Sequence, residues 1–354
     1  MRPFEGKRIL ITGGTGSLGK VLVRRILSGE MGTPAKVIVF SRDEAKQHAM
    51  RTQYQFKTAA TDEIIYRNSP SELEFRIGDV RDFHGFAGAL HQVDIVFHAA
   101  ALKQVPTCEY YPYEAVQTNI LGAENLIRAI HELNLSVETV VGISTDKACK
   151  PINTMGMTKA IQERILIQAN LRCQWTRFLC ARYGNVLASR GSVIPLFHEQ
   201  IRNGGPVTIT TPEMTRFLLS LDDAVDTIFA AVKTGKPGET YVPNAVSAQI
   251  KDVASALIGE RKIEIKYSGI RPGEKIHEIL ISEEEAFRTV ERGGWFAILP
   301  MLPELRSDQH GSGVLTKEFS SADSLMTPLQ TARLLMNRGL MLEDQVSERL
   351  EVMV

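Results

Sequence analysis

Short apolar runs alternate with helix-length segments along the first half of the chain. Five of these runs, at residues 8–12, 37–40, 73–77, 94–98 and 139–143, are four or five residues long and rich in Ile and Val. Such runs, separated by helical patterns, are typical of parallel strands that are buried on both faces of a sheet. The pattern therefore predicts a βαβ series.

Two longer segments in the same region show helical periodicity. Apolar side chains recur every three or four positions over residues 112–133, which predicts one long helix. A second helix is predicted over residues 154–171, and a sixth strand follows at 177–182. The predicted fold class is α/β, with a doubly wound parallel sheet.

Past Asn185 the pattern loosens into segments punctuated by Gly and Pro, such as RNGGPVTIT, KTGKPGETYVPN and SGIRPGEK. We expect these segments to form a smaller, loop-rich substrate-binding region over the carboxyl edge of the sheet, where open α/β sheets bind ligands. The predicted boundaries are a sheet domain at 1–185, a substrate-binding region interleaved with it at 186–306, and a C-terminal extension at 307–354. In that extension, residues 307–324 are polar and predict an extended excursion before a helix that starts after Pro328.

Composition and charge narrow the function classes. Apolar residues make up 44% of the 354 positions and charged residues 23%, which allows a large core and excludes a disordered, collagenous or disulfide-scaffold chain. The 41 basic residues balance 41 acidic ones, so the charge footprint of a nucleic-acid or anionic-membrane binder is missing. Neither nucleic acid nor a membrane is a predicted partner.

The cysteines and the N-terminal segment predict the compartment. The four cysteines form no Cys-x-x-Cys pair and do not cluster with the eight histidines, so no metal site is predicted. The N-terminus runs directly into a strand without the apolar stretch of a signal peptide, and no run reaches the roughly 20 apolar residues that span a bilayer. We expect a soluble, cytoplasmic protein with reduced cysteines.

A glycine-rich turn follows the first predicted strand. In TGGTGSLG, Gly14, Gly16 and Gly19 fit the spacing G-x-G-x-x-G, and Gly13 with the last two fits G-x-x-G-x-x-G. Glycines at these places let the turn adopt unusual backbone angles, approach a pyrophosphate and pack the following helix on the strand. The helix N-terminus then faces the anion. The motif predicts a dinucleotide site of the Rossmann type.

The end of the second strand bears on the choice of cofactor. Ser41 and Arg42 come first and suit the 2′-phosphate of NADP. Asp43 and Glu44 follow, and either could bind the ribose 2′-hydroxyl of NAD instead. NADP is the predicted cofactor, with NAD as the alternative. Asp79, after the third strand, either accepts a hydrogen bond from the adenine amino group or caps the following helix.

Polar residues at the end of the fifth strand form the candidate catalytic group. Thr145, Asp146 and Lys147 are consecutive, and Lys159 stands twelve residues later on a predicted helix. This layout resembles the extended short-chain dehydrogenase/reductase family, whose active site pairs a strand-end Ser or Thr with a Tyr-x-x-x-Lys helix. Met155 occupies the Tyr position here, on the same helix face as Lys159, and a thioether has no proton to give.

The predicted cofactor-binding set combines the glycine turn, the ends of the next strands and the helical lysine of this resemblance. It comprises Gly13, Thr15, Gly16, Ser17, Leu18, Gly19, Ser41, Arg42, Asp79, Val80, Ala99, Ala100 and Lys159.

Met155 leaves two interpretations open. The chain is either a dinucleotide-binding module without chemistry, or other residues carry the acid–base work. Asp146 and Lys147 favour the second interpretation, because an adjacent acid and base at the carboxyl edge of a sheet are what an elimination requires. A solvated salt bridge is the alternative for this pair.

A series of motifs makes the resemblance closer. Between residues 12 and 275 the chain contains, in this order, TGGTGSLG, SRDE, GDVRD, HAAALKQVP, STDKA, NTMGMTKA, RYGNVLASRGSV, MTRF and RPGEK. Together they resemble the UDP-N-acetylglucosamine 4,6-dehydratases of polysaccharide biosynthesis, in their short soluble form. A subset of that family carries Met in the Tyr position, so Met155 is compatible with activity.

The resemblance implies an internal redox elimination that consumes no net cofactor. Hydride leaves C4 of the sugar, water is lost across C5 and C6, and the hydride returns to C6. Lys147 is implied as the base at C5, Asp146 as the acid at the C6 hydroxyl, Thr145 as a hydrogen-bond partner of the C4 oxygen and Lys159 as a ligand of the nicotinamide ribose. For Lys147 to be neutral near pH 7, its pKa must be depressed from about 10.4. The proton of the C4 hydroxyl goes either to Asp146 or to a water held by Thr145 and Lys159.

The resemblance also implies the substrate contacts. Arg216 and Arg271 suit the diphosphate, because a guanidinium binds phosphate in a bidentate manner. Asn185 and Lys103 are implied at the sugar diphosphate, and Glu274 at the nucleotide ribose. A surface salt bridge is the alternative for each charged residue of this set.

The predicted function is an NADP-dependent nucleotide-sugar 4,6-dehydratase, a hydro-lyase that converts UDP-N-acetylglucosamine to a UDP-4-keto-6-deoxy-N-acetylhexosamine for capsule, O-antigen or glycan biosynthesis. A nucleotide-sugar 4-epimerase, which returns hydride to C4, and a non-catalytic dinucleotide-binding regulator are the alternatives. Because members of the family form dimers or larger rings, a homo-oligomer, dimer or hexamer, is expected.

Overall fold

The computed structural model describes residues 2–54, 72–187, 193–306 and 313–342. Its strands, in chain order, are β1 (Arg8–Thr12), β2 (Lys36–Ser41), β3 (Leu73–Ile77), β4 (Ile95–His98), β5 (Thr139–Thr145), β6 (Arg177–Tyr183), β7 (Val207–Ile209), β8 (Thr215–Phe217), β9 (Thr240–Pro243), β10 (Ser247–Gln249), β11 (Ile265–Tyr267), β12 (Ile279–Ile281), β13 (Thr289–Arg292), β14 (Trp295–Ile298) and β15 (Phe319–Ser320).

Within the described residues a nine-stranded sheet forms the centre of the fold. Its order is β3-β2-β1-β4-β5-β6-β9-β14-β13. The strands from β3 to β9 run parallel, whereas β14 and β13 are antiparallel to their neighbours. The strand order reverses at β1 and β4, and the crevice outside the carboxyl ends of strands at such a point is where doubly wound sheets bind ligands. The predicted fold class is confirmed.

Helices cover both faces of this sheet, and further helices pack around a separate core in the second half of the chain. They are α1 (Ser17–Leu27), α2 (Glu44–Tyr54), α3 (Phe83–Ala89), α4 (Val105–Tyr110), α5 (Pro112–Ala115), α6 (Gly122–Glu132), α7 (Thr154–Arg172), α8 (Val193–Arg202), α9 (Leu221–Thr234), α10 (Ile250–Ile258), α11 (Glu283–Ala286) and α12 (Pro328–Asn337). The helix predicted after Pro328 begins at Pro328 itself, with Thr327 as its cap.

The long helix predicted over residues 112–133 is interrupted. A π-helical stretch, Val116–Leu121, separates α5 from α6. Within this stretch the side chain of Asn119 bonds the backbone N–H and carbonyl of Leu102 at 2.8 and 3.0 Å and reaches the Thr158 hydroxyl at 3.0 Å. The spacing of apolar residues does not reveal this π-helical turn, because the side chain that it brings to another segment is polar.

Alternation along the buried strands builds two apolar cores, one on each face of the sheet. Ile9 and Ile11 of β1 pack in one core, and Leu10 between them packs in the other. A third core lies in the second half of the chain, where Phe197, Val253 and Leu335 are fully buried. β9, β13 and β14 join the main sheet from this half, and the remaining strands pair as β10 with β8, β11 with β7, and β12 with β15.

Two features of the described residues bear on the remaining sequence expectations. None of the helices combines the length and the apolar character that a membrane crossing demands. Cys108, Cys149, Cys173 and Cys180 are all buried free thiols. Residues 307–312 of the predicted polar excursion lie outside the described residues, and the domain boundaries remain a prediction.

A buried ionic group attaches the second half of the chain to the sheet. Arg182, at the end of β6, is 3% exposed. Its guanidinium donates to both carboxylate oxygens of Glu163 on α7, at 3.0 and 2.6 Å, and to both of Glu285 on α11, at 2.7 and 2.9 Å. Because three charged groups leave water here, the cation and the two carboxylates depend on one another.

Replacing Arg182 with Met should lower the free energy of unfolding by about 3–5 kcal/mol, because Glu163 and Glu285 would stay buried without their cation. The matched control is Arg172→Met, which breaks the partly exposed pair with Glu124 and should cost no more than about 1 kcal/mol. Urea unfolding followed by circular dichroism measures both. Equal losses in the two variants would contradict the role given to Arg182.

Candidate active site

The glycine turn closes the first strand onto α1 as the motif predicts. A Cβ on Gly19 would lie 2.4 Å from the backbone of Gly14, so only glycine lets the helix approach the turn this closely. α1 begins after Gly16, which has no side chain to cap the helix, and its first turn carries no acidic residue. The first-turn N–H groups of α1 therefore suit an anion.

Side chains at the ends of β1, β2 and β4 connect the segments around this crevice by hydrogen bonds. The hydroxyl of Thr15 lies 2.9 Å from that of Ser41, which ties the glycine turn to the end of β2. Thr12 Oγ1 accepts a hydrogen bond from the N–H of Ala100 at 3.0 Å and lies 3.1 Å from Nδ1 of His98. Burial lowers the pKa of His98 to about 3, so this histidine is neutral.

Two of the acidic residues after β2 and β3, Asp43 and Asp79, are engaged within the protein. Asp43 accepts a hydrogen bond from the N–H of Lys46 at 2.9 Å and pairs with the ammonium of the same lysine. Asp79 accepts from the guanidinium of Arg81 at 2.8 Å and lies 3.6 Å from that of Arg42. Asp82, not Asp79, caps the following helix. Arg42 itself is 59% exposed and available at the rim of the crevice.

The remaining residues of the predicted cofactor set lie where α1 begins and in the loops that follow β3 and β4. Ser17 and Leu18 open α1, Val80 is buried after β3, and Ala99 and Ala100 follow β4. Three features fit the phosphates and ribose of a dinucleotide. They are the close glycine turn, in which a Cβ at Gly19 would collide, the uncapped N-terminus of α1 and the exposed Arg42.

The candidate catalytic turn starts where β5 ends. Thr145 caps a short 3₁₀ turn, Asp146–Ala148, by accepting a hydrogen bond from the N–H of Lys147. α7 begins directly against this turn, and a Cβ on Gly156 would lie 2.2 Å from the carbonyl oxygen of Lys147. Gly156, the glycine in NTMGMTKA, thus allows α7 to pack directly against the turn.

Asp146 and Lys147 are brought together with two residues from later in the chain. Asp146 is fully buried, and its Oδ1 accepts from the Thr145 hydroxyl at 2.9 Å and from Nζ of Lys147 at 3.1 Å. The same Nζ donates to Oδ1 of Asn185 at 3.0 Å and lies 3.2 Å from Oε1 of Glu278. The side chain of Lys147 is 23% exposed, so one side of the group remains open.

Burial and the charges in this group together raise the pKa of Asp146 and the pKa of Lys147. Burial raises the pKa of Asp146, an effect that exceeds the opposing attraction of Lys147. Burial alone would lower the pKa of Lys147, but Asp146 and Glu278 outweigh it and raise that pKa above its ordinary value. The expectation of a depressed Lys147 pKa is therefore wrong for the protein chain itself, because the attraction of Asp146, together with that of Glu278, exceeds the effect of burial.

Lys159 and Met155 lie on α7, beside the turn. The ammonium of Lys159 is buried and donates to the carbonyl of Ile143 and to the Gln162 side chain, and burial lowers its pKa to about 8. Met155 is 4% exposed and packs with Cys108 and Ala115 in a small apolar cluster. The position of the family's phenol is thus filled by apolar packing.

The predicted substrate residues come from four segments, of which the one with Asn185 reaches Lys147. Arg216 on β8 is buried and donates to the carbonyls of Thr215 and Ile276 at 2.7 and 3.0 Å. Glu274 accepts a hydrogen bond of 3.3 Å from the Thr210 hydroxyl. Lys103 and Arg271 are exposed, and within the described part of the chain neither contacts the group around Lys147.

Glu278 is the residue of this group that sequence reasoning missed. It is 2% exposed and lies 3.8 Å from Nε of Arg216, so it links that arginine to Lys147. It follows RPGEK by three positions and immediately precedes the apolar run of β12. The signal available in the sequence was an acidic residue directly before the apolar run of a buried strand.

The family comparison covers most of the chain. The sequence profile of the family described as "Polysaccharide biosynthesis protein" matches residues 9–300. A Rickettsia felis protein named UDP-glucose 4-epimerase is 46% identical over 300 residues, which are 83% of this chain and 83% of that protein.

Solved structures share the fold. The X-ray structure of Pen from Bacillus thuringiensis superposes with a TM-score of 0.84 at 32% identity and covers 96% of this chain and 99% of its own. DesIV, a dTDP-glucose 4,6-dehydratase from Streptomyces venezuelae solved with NAD, has a TM-score of 0.63 at 22% identity, over 76% of this chain and 86% of its own. A profile match that runs from β1 to the end of β14, on a fold shared with Pen over nearly its whole length, shows that this chain belongs to the polysaccharide biosynthesis protein family.

Proposed function

We propose that the protein is an NADP-dependent nucleotide-sugar 4,6-dehydratase that acts on UDP-N-acetylglucosamine. The observation that carries the proposal is the buried contact of 3.1 Å between the Asp146 carboxylate and the Lys147 ammonium at the carboxyl end of β5. Elimination of water needs an acid and a base within reach of adjacent carbons, and an acid–base pair of this kind supplies both.

The pair can supply both because it shares one proton. Moving that proton from Nζ of Lys147 to Oδ1 of Asp146 turns an ion pair into a neutral acid and a neutral amine. Low dielectric surroundings disfavour separated charges, which supports the neutral form when the pair is closed off from water. The raised pKa of Asp146, caused first by its burial, is in the direction that a general acid requires.

The residues then act in order. Thr145 hydrogen-bonds the C4 oxygen, and oxidation at C4 makes the C5 proton acidic. Lys147 takes the C5 proton while Asp146 gives its proton to the departing C6 hydroxyl, which leaves as water. Lys147 then holds an ammonium proton that exchanges with solvent, and it donates a proton to C5 when hydride reaches C6. The proton released from the C4 hydroxyl restores the proton of Asp146, so the balance is one water lost and no change in oxidation state overall.

Removal of the C4 hydroxyl proton falls to Asp146 or to a water held by Thr145 and Lys159, because Met155 has no exchangeable proton. The buried position of Lys159 and its pKa of about 8 are compatible with a positive charge close to this water.

The cofactor is proposed to be NADP. When bound, NADP would supply the hydride acceptor for C4 and the hydride donor for C6. Gly13, Gly16 and the first turn of α1 would hold the pyrophosphate, and Arg42 with Ser41 the 2′-phosphate. Asp43 already pairs with Lys46, which supports NADP over NAD.

The relatives support a second candidate, a nucleotide-sugar 4-epimerase. The Rickettsia felis relative carries the name UDP-glucose 4-epimerase. An epimerase returns hydride to C4 and has no step at C5 or C6, so it needs a base only at the C4 hydroxyl and would leave Lys147 without a task. The two candidates differ in whether water leaves the sugar.

Incubation with UDP-N-acetylglucosamine in deuterated water should yield a product that has lost one water and carries deuterium at C5. Mass spectrometry and proton NMR measure both features. Asp146→Asn is the matched control, because it keeps the shape of the side chain but cannot release a proton, and its rate should fall by about a hundredfold or more. An unchanged mass with inversion at C4, for this sugar or for UDP-glucose, would establish the epimerase instead.

Replacing Arg42 with Ala should weaken NADP binding by about tenfold or more and leave NAD binding nearly unchanged, because a charged hydrogen bond to the 2′-phosphate would be lost. Isothermal titration calorimetry measures both affinities. Arg24→Ala, which removes an exposed cation that pairs with Asp222, is the control and should change neither affinity. Equal weakening of the two dinucleotides by Arg42→Ala would refute the role of Arg42 in selecting NADP.

A further inference from the structure

Glu278 lies in the group around Lys147 but has no part in the steps above. Its Oε1 is 3.2 Å from Nζ of Lys147 and 3.8 Å from Nε of Arg216. Its Oε2 is buried and, among the described residues, has no hydrogen-bond partner. The same holds for Oδ2 of Asp146. Since unpaired buried carboxylate oxygens are costly, Glu278 is either a counter-ion for Arg216 or a member of the acid–base group.

The backbone of Glu278 is fixed on both sides. Its N–H donates to Oγ of Ser321 at 2.9 Å, and its carbonyl accepts from the N–H of Ser321 at 2.8 Å. Oγ of Ser321 lies 2.7 Å from Oγ1 of Thr215, the neighbour of Arg216. The direction in which the Glu278 side chain leaves the chain is therefore set by the pairing of β12 with β15.

Residues 271–278, which we call the strap, contact the catalytic turn and its surroundings at three places. Asn153, the cap of α7, donates to the carbonyl of Gly273 at 2.9 Å. Nζ of Lys275 donates to the carbonyl of Cys149 at 2.6 Å. Glu278 makes the third contact, to Lys147. The strap that carries Arg271 and Glu274 thus also carries the second carboxylate of the group.

We propose that Glu278 is a positioning residue that keeps one proton on the Asp146–Lys147 pair. This inference rests on the proposed function, because elimination requires the form of the pair that holds a single shared proton. With two protons the pair has no base, and with none it has no acid. The negative charge of Glu278 favours retention of the proton, and its contact holds Nζ of Lys147 beside Asp146.

Every charged group that faces Lys147 enters this balance. Asp146 and Glu278 raise its pKa, while burial and Arg216 lower it. Lys275 faces the same group and is influenced by Glu278, Asp146 and Lys147. Glu278 also raises the pKa of Asp146. Because Glu278 acts on both members in the same direction, its removal lowers both apparent pKa values of the pair.

The test is Glu278→Gln, which keeps the shape of the side chain and removes its charge. Both limbs of the pH profile of kcat for water loss should move to lower pH by about one unit, since a charge within about 4–6 Å shifts a pKa by that much or more. A structural counter-ion of Arg216 would change rate or KM without moving the limbs.

A second readout does not depend on activity. Trace acetylation of lysine amines with acetic anhydride across a pH series, followed by peptide mass spectrometry, reports the pKa of Lys147 directly. Glu278→Gln should lower it by about one unit. The control is Glu283→Gln, which removes an exposed carboxylate that pairs with Lys150 and should leave the Lys147 pKa unchanged.

Acetylation of the buried Lys159 in the same samples shows whether each variant is folded. If Glu278→Gln unfolds, Glu278→Asp draws the carboxylate away from Lys147 and should give a smaller shift in the same direction. An unmoved Lys147 pKa, or the same shift in Glu283→Gln, overturns the proposal. If the wild-type protein releases no water from UDP-N-acetylglucosamine, the proposed function fails while acetylation still decides the effect of Glu278 on Lys147.

Discussion

The site depends on the contact between the Lys147 ammonium and two buried carboxylates. One carboxylate, Asp146, is its neighbour in sequence, and the other, Glu278, comes from the edge of β12. Removing an ion from water costs several kcal/mol even in a relaxed protein, so these groups are stable there only as a set. Arg182 makes an equivalent arrangement with Glu163 and Glu285, which joins α7 to α11. Buried ionic contacts, in addition to apolar packing, attach the loop-rich half of the chain to the sheet.

Sequence reasoning predicted the parts that local pattern determines. The buried strands, the glycine turn and the consecutive residues Thr145, Asp146 and Lys147 could be placed because each is encoded within a few positions. The partner of Lys147 could not be placed, since Glu278 and Asn185 reach it through tertiary contacts of large sequence separation. The direction of the Lys147 pKa was wrong because the expectation considered burial and nearby cations, whereas Asp146 first and Glu278 second raise this pKa above its ordinary value.

Dehydratases and epimerases can share one fold, so the fold does not separate the two activities. They differ in whether protons are transferred at C5 and at the C6 hydroxyl. Met155 packs in an apolar cluster and supplies no acid–base group, whereas Asp146, Lys147, Lys159 and Glu278 are ionisable groups near the end of β5. A pair that shares one proton suits an elimination, in which one group accepts a proton while its neighbour gives one up. The exposed side of Lys147 is the direction from which a sugar can approach it.

The central claim is that Lys147 takes the proton from C5. Its most direct test is a single-turnover reaction of Lys147→Ala with UDP-N-acetylglucosamine, quenched with sodium borodeuteride to trap any 4-keto sugar. Oxidation at C4 should persist in this variant, while water loss should stop. The trapped sugar should therefore carry deuterium at C4 and retain its C6 oxygen. Equal loss of both steps, or water loss at the wild-type rate, would contradict the claim.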